Sequence, residues 1–136
     1  MWLYLKQMLQ GLRVLHIRDI LHRDIKSANM FLSEDGKTIK LGDLNVSKVL
    51  KDDLAKTQTG TPYYVSPEIW DNKPYGAKTD IWSLGCVVYE IVALKPPFLA
   101  KNFTLLCKKV KTGKFAHIPL HYSERLQNVI REMLNP

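Results

Sequence analysis

Apolar residues first recur at helical spacing in Leu5, Met8, Leu9, Leu12 and Leu15, which predicts an amphipathic helix ending near His16. No capping residue precedes it, and the chain opens already in helical register. Ile20-Leu21-His22-Arg23-Asp24 is too brief for a helix. Met30-Phe31-Leu32 and Thr38-Ile39-Lys40-Leu41 flank Ser33-Glu34-Asp35-Gly36-Lys37, whose Asp-Gly pair is a strong turn signal, so the two runs predict a small β-hairpin. Periodicity then vanishes from Gly42 to Pro74, a stretch holding Gly60, Pro62, Pro67 and Pro74. It reads as a long loop with one helical turn after Pro67, and loops of that length in a compact domain are usually functional.

An apolar helix follows from Ile81, with Thr79 or Asp80 as its cap and Pro96-Pro97 as its stop. Apolar residues lie on every face of it, which places it in the middle of the domain. Phe103, Leu106, Cys107 and Val110 form another helical stripe, closed by Gly113. Ser123 is the expected N-cap of a last helix with Leu126, Val129, Ile130 and Met133 inward. The fold class is therefore mainly α with a small β-hairpin, without internal repeats or low-complexity tracts.

At 136 residues and 46% hydrophobic content the chain suits one packed domain. The net charge of +7 is compatible with a phosphate-rich partner. Yet the lysines are scattered, with nothing denser than Lys108-Lys109 and nearby Lys111, and no aromatic-basic platform for single strands exists. A nucleic-acid partner is not expected. Cys86 and Cys107 make no disulfide framework, and Cys86 sits in an apolar run, so a reducing compartment is expected. Residues 1–10 show no secretory leader. Ile81 to Leu94 is shorter than a bilayer requires and contains Glu90, so no membrane span is expected. These features together predict an intracellular, cytoplasmic protein.

The chemistry concentrates in His22-Arg23-Asp24-Ile25-Lys26-Ser27-Ala28-Asn29, followed fourteen residues after Asn29 by Asp43. Phosphoryl transfer needs positioning and charge neutralisation more than covalent participation. A carboxylate on a fixed loop, Asp24, can accept a hydroxyl proton, and a neighbouring cation, Lys26, can hold the transferring phosphate. Mg²⁺ takes hard oxygen ligands, which Asn29 and Asp43 can supply with water and phosphate oxygens. Singly, each residue has a plainer role: Asp24 as a loop carboxylate beside Arg23, Asn29 as a turn residue, Asp43 as a surface acid. The spacing of all four argues against those roles together.

The loop from His22 to Asn29 resembles the catalytic loop of protein kinases, and Lys26 two residues after the Asp is the Ser/Thr-kinase form. Gly60-Thr61-Pro62-Tyr63-Tyr64-Val65-Ser66-Pro67-Glu68 resembles the end of a kinase activation segment. Asp80-Ile81-Trp82-Ser83-Leu84-Gly85 resembles the start of the central helix of the C-terminal lobe. Ser66 before Pro67-Glu68, with the preceding Gly-Thr-Pro-Tyr-Tyr, is most similar to the NIMA-related (Nek) kinases.

The resemblance implies a protein-kinase-like C-terminal lobe that uses ATP and Mg²⁺ to phosphorylate Ser/Thr hydroxyls of protein substrates. It makes Asp24 the catalytic base, Lys26 the γ-phosphate contact, and Asn29 and Asp43 the metal ligands. Phe31 would lie beneath the adenine. Thr61 would fix the substrate loop near Asp24 and Lys26, Asp80 would anchor the catalytic loop's backbone, and Glu68 would pair an arginine. Thr57 is the first candidate phosphosite and Thr59 the second, with Arg23 placed to pair the phosphate. Cytoskeletal or ciliary association follows from the family alone, and no feature of these residues sets an oligomeric state.

Departures from the pattern are informative. Leu44-Asn45 stands where Phe-Gly usually follows the metal-binding Asp; Leu44 keeps the apolar contact, and Asn45 tolerates positive φ better than most residues. No Gly-rich phosphate loop and no strand lysine in a Val-Ala-Ile-Lys setting occurs in the chain. The expectation is a C-lobe truncated at both ends, with the Glu68 partner beyond Pro136 and negligible activity alone. The competing expectation is a C-lobe-only regulatory or scaffolding module, against which the retention of Asp24, Lys26, Asn29 and Asp43 argues.

Overall fold

The computed structural model describes residues 1–44 and 62–136. Asn45, Thr57, Thr59 and Thr61 lie outside the described residues. The elements are α1 (Trp2–His16), a 3-10 turn (Ser27–Asn29), β1 (Met30–Leu32), β2 (Ile39–Leu41), α2 (Pro67–Trp70), α3 (Ala77–Ala93), α4 (Phe103–Thr112) and α5 (Glu124–Met133). The mainly α architecture with one two-stranded antiparallel sheet is the one expected.

Isolated two-stranded sheets are marginal in water, so the hairpin needs support. Here β1 and β2 pair Met30 with Leu41, Phe31 with Lys40 and Leu32 with Ile39. Gly36 takes φ +68 in the turn, where the Asp35 carboxylate accepts from the Ser33 hydroxyl at 2.6 Å and from the Lys37 amide at 3.0 Å. These bonds hold the Asp35 carboxyl below its ordinary pKa, the Ser33 bond contributing most. The hairpin is fastened to α1 by polar side chains. Tyr4 donates its hydroxyl to Gly36 O, and Gln7 donates to Lys37 O at 3.0 Å while accepting from the Ile39 amide at 2.8 Å. On the face of α1 next to this polar edge, Leu5, Met8 and Leu12 enter the core.

As the all-round apolar pattern predicts, α3 is the axis of the core, with Trp82, Leu84, Cys86, Val87, Val88, Tyr89 and Val92 all buried. Its bounds differ from the expected ones. It begins at Ala77, four residues before Ile81, and ends at Ala93 before the Pro96-Pro97 pair. The cause is capping at a distance: Gly76 is the N-cap, and Thr79 reaches back from inside the first turn to accept the Gly76 amide at 3.1 Å. At the other end Leu94 adopts φ 55 and turns the chain. Gly85 allows close approach of α5, since a Cβ there would lie 2.9 Å from Met133 Cβ.

Phe98 stacks on Trp82 with centroids 5.6 Å apart, and Phe115 meets both Phe98 and Tyr89 edge-on. Leu106 and Val110 of α4 are buried, as are Leu126, Ile130 and Met133 of α5. Phe103 departs from its expected place in the stripe: at the start of α4 it is 58% exposed. Val129 is half-buried. Ser123 caps α5 as expected, accepting from the Leu126 amide at 3.3 Å. Burial pushes the Cys86 thiol pKa well up, which keeps it a neutral core group. Among the described residues, no helix is long and apolar enough to cross a membrane.

Candidate active site

The catalytic-loop segment leaves α1 through a reversal at Asp19 (φ 57) and enters the site through Arg23 (φ 65). Bulky residues pay for left-handed backbone, so surrounding contacts must hold it. They come from Asp80, on the first turn of α3 and 0% exposed. Its carboxylate accepts the His22 amide at 2.9 Å, the Arg23 amide at 3.1 Å and the Tyr75 hydroxyl, and it sits 2.8 Å from His16 Nε2. Asp80 thus bonds the backbone of the loop at two successive residues. His16 and Tyr75 are additional partners that sequence reading missed; they lie 64 and 5 positions from Asp80, at no motif spacing. Burial, and then the neighbouring Asp80 charge, push the Tyr75 hydroxyl pKa far up, so it stays a donor.

Downstream of the anchor, Ile25 is buried and pins the loop while Asp24 and Lys26 remain half-exposed. Lys26 Nζ donates to Asp24 Oδ2 at 3.0 Å. Asn29 is buried in the 3-10 turn and donates its Nδ2 to Asp24 O at 2.7 Å and to Asp24 Oδ2 at 3.1 Å. Both Asn29 donor bonds point toward Asp24, which turns the amide oxygen away from it. The Gly42 amide donates to Asn29 O at 2.9 Å, so the hairpin returns the chain to the same place. Asp43 follows at once, exposed and at φ 58. Asp24, Lys26 and Asn29 are thus bonded to one another, and the hairpin returns Gly42, the neighbour of Asp43, to the backbone of Asn29.

Among the described residues no cluster of three or more His, Cys, Asp or Glu side chains forms a closed metal cage. An amide oxygen and one carboxylate on neighbouring turns are instead the partial oxygen set suited to Mg²⁺, which keeps waters and takes phosphate oxygens as further ligands. The residues present fit such an ion bound together with a nucleotide. Phe31 is 55% exposed on β1 and packs over Gly42, where a Cβ would collide with its ring. Its ring therefore offers an open apolar surface beside the Asn29–Asp43 pair.

Glu68, on α2, accepts the Thr79 hydroxyl at 2.7 Å, tying α2 to the start of α3. Tyr64 links three regions: its hydroxyl donates to Glu90 Oε2 at 2.7 Å and lies 2.9 Å from Ser27 Oγ, while its carbonyl accepts from Ser83 Oγ at 2.9 Å. Neither Ser27, Tyr64 nor Glu90 was singled out from sequence as part of a linked group. Their separations of 37 and 26 residues leave no local signal.

The protein kinase domain family matches residues 1–136. This chain belongs to the protein kinase family. Its relatives include Nek serine/threonine-protein kinases: it is 53% identical over 125 residues to Nek5 of Mus musculus, covering 90% of this chain and 20% of that protein. It is 50% identical over 119 residues to Nek2 of Homo sapiens, covering 85% of this chain and 26% of that protein. A probable nek2 kinase of Dictyostelium discoideum is 46% identical over 138 residues, covering 98% of this chain and 33% of that protein. The chain thus spans about a third or less of the length of these relatives.

Proposed function

We propose that this chain supplies the catalytic loop, metal ligands and substrate platform for ATP-dependent phosphorylation of protein Ser/Thr hydroxyls. The carrying observation is the Asp24 carboxylate held by Lys26 and Asn29 on a loop whose backbone is bonded to buried Asp80. In this reading Asp24 orients the acceptor hydroxyl and takes its proton. Lys26 compensates the negative charge of the transferring phosphoryl group, and Asn29 and Asp43 would hold Mg²⁺. The ion, when bound, neutralises phosphate charge. Phe31 would lie under the adenine, and phosphorylation of Thr57, or secondly Thr59, would regulate the loop. Thr61 would fix the substrate segment.

Turnover in this reading needs a phosphate-gripping lobe as well, because most of the rate comes from positioning. The 136-residue chain contains no Gly-rich loop and no strand lysine, and we expect negligible transfer by it alone. The test measures transfer from labelled ATP to casein, using the chain alone and joined to the ATP-binding lobe of a Nek relative. The joined protein should phosphorylate casein, and Asp24→Asn should abolish it. Clear Asp24-dependent turnover by the chain alone would overturn the need for a second lobe. Turnover in the joined protein that survives Asp24→Asn would overturn the role of the loop, leaving a scaffolding module as the better reading.

A further inference from the structure

Ser27 sits in the 3-10 turn of the catalytic loop, one residue after Lys26, and its side chain is exposed. An exposed serine hydroxyl ordinarily bonds water. This one lies 2.9 Å from the hydroxyl of Tyr64, which is half-buried. A phenol has a single hydrogen, and that of Tyr64 goes to Glu90 Oε2 at 2.7 Å. Tyr64 must then accept from Ser27, so the bonds run in one direction: Ser27 to Tyr64 to the Glu90 carboxylate. Burial raises the Tyr64 pKa, with Glu90 adding to the shift, so the hydroxyl keeps its proton and the direction holds at neutral pH.

The other end of residue 64 is also fixed. Its carbonyl accepts from Ser83 Oγ at 2.9 Å, and Ser83 belongs to the buried face of α3. Tyr64 is therefore clamped to the rigid central helix at its carbonyl and at its hydroxyl. Ser27 adds the link between that clamp and the loop bearing Asp24 and Lys26. Among the described residues, it is the side-chain bond that joins segment 62–66 to the turn next to Lys26.

We infer that Ser27 is a positioning residue for the protein substrate: through Tyr64 and Glu90 it sets how segment 62–66 sits against Asp24, and thereby where the acceptor hydroxyl is presented. This rests on the kinase reading above. Small misplacements of a reacting group are costly, so one hydrogen bond at this junction has leverage on substrate use. Because the Ser27 hydroxyl bonds toward Tyr64 on segment 62–66, its effect falls on the protein substrate more than on ATP.

Ser27→Ala, Ser27→Thr and Tyr64→Phe are compared in the lobe-joined protein. Ser27→Ala should raise KM for casein about five- to tenfold, with kcat and KM for ATP within about twofold. Ser27→Thr, which keeps the hydroxyl, should restore the wild-type KM. Adding Ser27→Ala to Tyr64→Phe should do little further, since both interrupt one chain of bonds. In the 136-residue chain itself, Ser27→Ala should speed hydrogen exchange at the Val65 amide and leave the α3 amides unchanged, and this measurement stands whether or not the joined protein turns over. Unchanged exchange at Val65, an unchanged casein KM, or an equal rise in both KM values would overturn the inference. Loss of the Asp24→Asn effect would instead overturn the kinase reading.

Discussion

Asp80 shows what a single buried carboxylate contributes. Two backbone amides and a phenol converge on it at zero exposure, with His16 alongside. Replacing it by Ala would strand these donors in the core, and unpaired buried donors cost about 1–3 kcal/mol each. Asp80→Ala should therefore lower stability by about 3–5 kcal/mol in urea melts, a loss of the size seen when a buried network is broken. His117 makes a smaller, pH-dependent contribution at the surface. Its Nδ1 bonds Ile118 O at 2.7 Å and its Nε2 lies 3.1 Å from Glu124, and these contacts raise its pKa above 6.5, the backbone bond contributing most. A raised histidine stabilises below its unfolded pKa and loses that contribution as pH rises through the folded pKa. The melting temperature of His117→Gln should accordingly trail wild type more at about pH 5.5 than at about pH 8.5. At this scale the candidate site residues were legible because Asp24, Lys26 and Asn29 share one short loop. His16, Ser27 and Glu90 were not, because their partners arrive from distant parts of the chain, and Tyr75, five residues from Asp80, matches no motif spacing.

Helix positions were legible from apolar spacing, while helix ends depended on capping geometry. The start of α3 lies at Ala77 because Thr79 satisfies the Gly76 amide from within the helix, and a side chain acting backward leaves no apolar signal. Its end lies at Leu94, a γ-branched residue at φ 55 and 89% exposed. Left-handed backbone costs a non-glycine residue about 1–2 kcal/mol, so Leu94→Gly should stabilise the chain by about 1 kcal/mol in thermal or urea unfolding. Gly85 predicts the opposite sign. A methyl there would press on Met133 and Leu134 in the α3–α5 contact, and overpacking of that kind costs about 1–3 kcal/mol. Gly85→Ala should lower the unfolding midpoint despite the better helix propensity of alanine. The exposure of Phe103 follows from its place at the first residue of α4, before the helix has turned onto the core.

Across the whole molecule, exposed apolar groups are spread over the surface, and two of them, Phe31 on β1 and Leu44 after Asp43, lie close in sequence to the candidate site residues Asn29 and Asp43. Phe31→Ser should change the stability of the chain by less than about 0.5 kcal/mol, because the ring is more than half exposed. In the lobe-joined protein the same change should raise KM for ATP, separating a binding role from a packing role. The order of elements, the hairpin and the reactive loop are contained in short stretches of sequence. Period, turn chemistry and loop spacing are local properties, so the amino-acid order alone determines them, and with them the kinase family. Tertiary structure decided which distant groups meet: Asp80 with His16 and the loop amides, Gln7 with β2, and Ser27 with Tyr64 and Glu90. Those contacts join residues 26 to 64 positions apart, where the packing of α1 and the hairpin around α3, and no local spacing, sets the distance.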